Sequence, residues 1–212
     1  MRAELDHLVV TAPTLAIGAE FVSRSLGVQP QPGGEHPLMG THNLVLRLGT
    51  RSYLEVIAIN PAAARPGRPR WFALDDPLKN GMPQLATWVA RTSNLDAVEN
   101  QIAATLGNIE IMTRGSLRWR ITIRPDGGLA YNGLVPAMIE WQSTVHPASK
   151  MRESRCSLIR LEAFHPKPDR LRERLGLLGL DDALSISTLQ AAVPPHLVAH
   201  IDTPTGPRSL GL

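Results

Sequence analysis

The sequence predicts an α+β protein of paired βαβββ modules, followed by a third, shorter C-terminal strand-helix-strand unit. Three observations carry that prediction. LDHLVVTAPTL at Leu5–Leu15 aligns without gaps on LATWVARTSNL at Leu85–Leu95, and the helical stretches that follow stop in the same register, at Leu26-Gly27 and Leu106-Gly107. Each copy then alternates as strands do: THNLVLRLG and RSYLEVIAIN in the first, SLRWRITIR and LVPAMIEW in the second. Finally, 18 Pro and 17 Gly among 212 residues call for many short elements joined by turns, which excludes a coiled coil.

In chain order, Leu5–Val10 is a β-branched and apolar strand, and Thr14 starts an amphipathic helix over Leu15–Leu26 that Gly27 closes. A Pro/Gly-rich passage with one short irregular strand leads to a hairpin turning at Gly49-Thr50, which completes a first module over 1–62. The Pro-, Ala- and Arg-rich stretch 63–83 connects it to a second module over 84–148, whose two last strands flank Pro125-Asp126-Gly127-Gly128. Beyond His146-Pro147, the unit over 149–212 begins with the strand SLIRLEAF and the helix Pro168–Leu178, ended by Gly179. Two weak strands follow, near Ser185–Leu189 and Leu197–Asp202.

Composition narrows the function classes. Twenty-two Lys+Arg against 19 Asp+Glu leave a net charge of +3, which demands no nucleic acid. A single cysteine, Cys156, forms no intramolecular disulfide, so a reducing compartment suffices and the cytoplasm is the expected location. No long apolar run reads as a leader or a spanning helix, so no membrane is expected. There is no G-x-S-x-G and no phosphate-cradling Gly-rich loop. The expected partner is a small molecule, and a homodimer remains open.

Strand parity gives the first view of a cleft. Leu8, Val10, Leu44, Leu46 and Leu48 are the residues to pack on helices, which turns His7, Asn43, Val45 and Arg47 the other way. Glu55 lies in a strand apolar on both faces, so parity does not orient it. In the second module Trp119, Ile121 and Ile123 are expected on the helix side, leaving Arg118, Arg120 and Thr122 toward the cleft as an anion-binding strand face. His36, His146 and His165 each precede Pro and read as surface or structural. Trp88, Met138 and Trp141 read as core, with Trp141 also placed to line the cleft mouth.

This repeat, with GTHNLVLRLGTRSYLEVIAINP in the first module and LRWR, RPDG, GLVPAMIEW and HP in the second, resembles the vicinal oxygen chelate superfamily. More narrowly, it is similar to the glyoxalase-like domain proteins, within the group that includes glyoxalases, bleomycin-resistance proteins and dioxygenases. The resemblance implies a cleft whose metal positions fall on His7, Glu55, Thr87 and Glu140, with His7, Glu55 and Glu140 able to hold zinc, manganese, nickel or iron. Thr87 is a poor ligand, which leaves the metal open. The resemblance also implies a metal-dependent lyase or isomerase on a small anionic compound, Glu140 being the base or else a structural carboxylate paired with Arg118 or Arg120. Asn43, Thr87, Arg118, Arg120 and Trp141 would then contact substrate. The alternative is a metal-free sequestration protein of the bleomycin-resistance type.

Overall fold

The computed structural model describes residues 3–98, 104–190 and 193–211. The first module runs β1 (Glu4–Thr11), α1 (Leu15–Leu26), β2 (Gln31–His36), β3 (Thr41–Arg47) and β4 (Tyr53–Ile59). A short helix, α2 (Pro77–Asn80), lies in the connection. The second module supplies β5 (Gln84–Arg91), β6 (Asn108–Arg114), β7 (Leu117–Ile123) and β8 (Ala137–Trp141). Its helix ends over residues 104–106 before Gly107, and the part at 99–103 lies outside the described residues.

α1 begins where expected because the Thr14 hydroxyl accepts the Ile17 N–H at 3.2 Å, and it stops at Gly27, whose N–H reaches Ser23 O. Thr14→Ala is expected to cost about 1 kcal/mol in urea unfolding, the usual worth of an N-cap hydroxyl.

All eight strands join one sheet in the order β2-β3-β4-β1-β5-β8-β7-β6, curled into a half-barrel. β1 lies parallel to β4 and β5 parallel to β8, while β1 and β5 meet antiparallel at the centre. The two modules are therefore halves of one continuous surface. On its outer face Leu8, Val10, Leu54, Val56, Trp88 and Met138 pack with Val22 and Leu26 of α1. Val9, Ile57, Val89, Ile121 and Ile139 line the inner face, beneath Trp71, Phe72 and Leu74 from the connection.

The C-terminal unit is larger than the pattern suggested. It comprises β9 (Ser157–His165), α3 (Pro168–Gly176), β10 (Ser185–Thr188), β11 (His196–Thr203) and β12 (Gly206–Leu210). These strands form a second sheet, β10-β9-β11-β12, whose Leu161, Ala163, Leu197 and Ile201 enter the outer core of the first. β12 escapes pattern reading because it opens Gly-Pro, a turn signal, yet Pro207 sits on an edge strand where its missing N–H costs no ladder bond. Among the described residues no helix is long and apolar enough to cross a membrane.

Candidate functional site

A bulge in β1 builds the polar end of the inner face. β1 pairs Leu5 with Ala90 and then His7 with Val89, so Asp6 has no partner across the ladder. Such an extra residue re-aims side chains locally. Asp6 is fully buried: one oxygen lies 2.7 Å from His7 Nδ1, and the other accepts Trp141 Nε1 at 2.9 Å and His146 Nε2 at 3.0 Å. Burial alone would raise its pKa, but the hydrogen bonds and charge of His146 and His7 overcome this and hold the carboxyl well below the usual range.

With Nδ1 committed to Asp6, the His7 ring presents Nε2 to Glu55, 3.7 Å from Oε2, while its face stacks on Tyr53 at 4.5 Å. Burial first, then the charges of Asp6 and Glu55, push the Tyr53 hydroxyl upward, so it stays neutral. Asn43 donates from Nδ2 to the other Glu55 oxygen, and its own carbonyl oxygen accepts Gly34 N–H at 2.8 Å and Arg114 Nη1 at 3.2 Å. A Cβ on Gly33 would sit 2.0 Å from Asn43 Oδ1 and one on Gly34 2.8 Å from Arg114 Cδ, so the Gly-Gly pair makes room for this network.

His36 closes the chain of contacts. Burial is the main cause that pushes its pKa down to about 4, with Arg114 adding to the shift and Glu55 opposing it. The ring is therefore neutral near pH 7. Arg114 Nη1 then donates to Nε2 across 3.3 Å, and Nδ1–H donates to Thr41 Oγ1 across 3.1 Å. Facing these groups are Trp119, Ile121, Ile139 and Trp141, with Trp71 and Phe72 as a roof, around about 30 Å³ of free space.

Four of the expected residues, His7, Glu55, Asn43 and Trp141, meet here. Four do not. The expected parity of β7 is inverted: Trp119, Ile121 and Ile123 pack on the inner face, which puts Arg118, Arg120 and Thr122 on the opposite one. Alternation separates two faces without saying which is inner, and here the apolar face is covered by the connection. Glu140 shares its face with Met138, away from Ile139 and Trp141. It accepts Arg120 Nη1 and Leu95 N, both at 3.2 Å, and Arg120 also pairs with Asp96. Glu140 is thus paired with Arg120 and does not meet His7. Thr87 is buried and gives its hydroxyl to Gly133 O at 2.9 Å.

Sequence reasoning missed Asp6, His36, Tyr53, Arg114 and Trp71. His36, read as surface or structural because it precedes Pro, is buried as the last residue of β2 and lines the site. Arg114 was legible in principle: the β6–β7 hairpin pairs Met112 with Trp119 and Arg114 with Leu117, so a correct β7 parity would have turned it inward. Asp6 had no signal, since alternation opposes it to His7 and only the bulge reverses that.

The donor set does not fit the expected divalent ion. The inner face of β8 carries Ile139 and Trp141, the Thr87 hydroxyl is spent on a carbonyl and His36 Nε2 on Arg114, and the two remaining donors, His7 and Glu55, do not make a coordination shell. Among the described residues no three His, Cys, Asp or Glu converge as a metal site.

A profile of the glyoxalase-like domain matches residues 5–179, most of the chain. The chain belongs to the glyoxalase-like domain family. A hypothetical protein from Staphylococcus aureus shares the fold at a TM-score of 0.60 and 13% identity, over 100% of this chain and 86% of that one. Streptomyces coelicolor methylmalonyl-CoA epimerase aligns at 18% identity and TM-score 0.44, over 68% of this chain and 100% of its own. The Mycobacterium tuberculosis methylmalonyl-CoA epimerase aligns at 16% and 0.40, over 65% and 86%. No curated protein matches the chain. At 13% identity the likeness to the Staphylococcus aureus structure is one of fold alone.

Proposed function

We propose that this glyoxalase-like protein is an isomerase-type enzyme that moves a proton at the carbon beside the carbonyl of a small carboxylate. The supporting observation is the convergence of His7 Nε2 and Glu55 Oε2, 3.7 Å apart, on one buried space, with Asp6 fixing the ring behind them. Glu55, one oxygen held by Asn43, removes the C–H proton with its free oxygen. The C–H electron pair moves into a carbon–carbon double bond while the carbonyl oxygen takes the Nε2 proton of His7 in its imidazolium form. The enol O–H proton then returns to His7 Nε2 as carbon is reprotonated, by Glu55 on the same face for exchange, or by water on the opposite face for inversion, in which case Glu55 releases its proton to solvent. Asp6 orients His7 as the third member of a triad does. Arg114, at the edge of the same space, supplies the charge-assisted contact to the carboxylate. No step runs through a divalent ion.

Deuterium wash-in at C3 of 2-oxobutanoate, followed by proton NMR in heavy water, tests this. Wild-type protein is expected to exchange faster than buffer, and Glu55→Gln to lose about a hundredfold or more of that rate. An unchanged rate in Glu55→Gln, or no exchange above buffer in wild type, overturns the proposal. The aromatic walls, Trp71, Phe72, Trp119 and Trp141, favour sequestration as the second reading. Binding of the acid without exchange supports it.

A further inference from the structure

Trp71 and Phe72 separate the site from a second chamber of the same size. Both residues line both spaces; the far one is walled mainly by Leu106, Leu129, Ala130, Val135 and Ala137, with Thr87, Thr122 and Arg124 also on its lining. Each holds about 30 Å³, whereas small-molecule sites take roughly 300–1,000 Å³. Neither chamber alone has room for a long alkyl chain. The partition carries two independent marks of an incomplete fit. Trp71 Nε1 is buried with no acceptor, which native interiors rarely tolerate. Phe72 and Ala73 also hold left-handed backbone, φ 57° and 55°, without being glycine.

The ends of this turn are firmly held. Asp75 accepts the Arg70 backbone N–H at 2.8 Å and its guanidinium at 2.6 Å, and Ala73 N–H reaches Gly127 O at 2.8 Å. Displacement of the Trp71-Phe72 tip on that base would merge the charged chamber with the mainly apolar one.

Resting on the carboxylate reading above, we infer that the ligand is an amphipathic acid: its head lies among Arg114, Asn43, His7 and Glu55, and its alkyl tail passes the displaced Trp71-Phe72 tip into the second chamber. Calorimetric titration with 2-oxobutanoate, 2-oxohexanoate and 2-oxooctanoate is the test. In wild type the longest acid is expected to bind at least about tenfold more tightly than the shortest, since each buried methylene adds to affinity. Ala137→Leu and Leu129→Trp, each filling the second chamber and checked for folding by circular dichroism, are expected to abolish that gain and leave 2-oxobutanoate binding unchanged. Equal affinity along the series, or a gain that persists in both variants, overturns the inference while the carboxylate head stands. Failure of every acid to bind overturns both.

Discussion

Asp6→Asn is expected to lower folding stability by about 3–5 kcal/mol, the usual cost of breaking a buried charged network by one member. The carboxylate is fully buried and satisfies Nδ1 of His7, Nε1 of Trp141 and Nε2 of His146, and an amide, with one acceptor oxygen, sets its NH2 against the donors on one side. Urea unfolding measures the loss. A change below about 1 kcal/mol, the median worth of an exposed pair, would show that the three contacts are not coupled. The pH dependence has a definite sign. The folded pKa is depressed, so the contribution of Asp6 is complete above the unfolded value near 3.9 and is lost as the pH falls through and below it. Asp6→Asn should lack that part of the acid limb.

The second large effect belongs to His36. Between about pH 6.5 and 4 the unfolded imidazole binds a proton that the buried folded ring refuses, so stability falls as the pH drops through this window. At about 1.4 kcal/mol per pKa unit the loss is of order 3 kcal/mol. Protonation of the folded ring also ends the hydrogen bond from Arg114 to Nε2 and sets two cations side by side, so proton exchange should decline as the pH falls to about 4 and below. Urea unfolding at pH 7.5, 6 and 4.5 checks the slope, and His36→Gln is expected to flatten it. An equal slope in the variant would assign the titration to another group.

The repeat at Leu5 and Leu85, the Thr14 and Gly27 boundaries of α1, and the alternating hairpins are local properties, determined by side-chain period, capping and turn chemistry. From them the module architecture and the inward aim of His7 and Asn43 followed. What only the tertiary structure decided is which side of each strand is inside. In the second module both faces of the sheet bury apolar residues: Met138 packs outward with α1 and the C-terminal sheet, and Trp119, Ile121 and Ile139 pack inward beneath Trp71 and Phe72. Alternation fixes the relative orientation of neighbouring residues and nothing absolute, so an inversion moved Arg118, Arg120 and Glu140 out of the cleft and Arg114 into it. Asp6 and His36 depend on contacts far along the chain, with Trp141 and His146 in one case and Arg114 in the other. A buried charge is stable only where such distant donors converge, and that convergence exists once the sheet has closed.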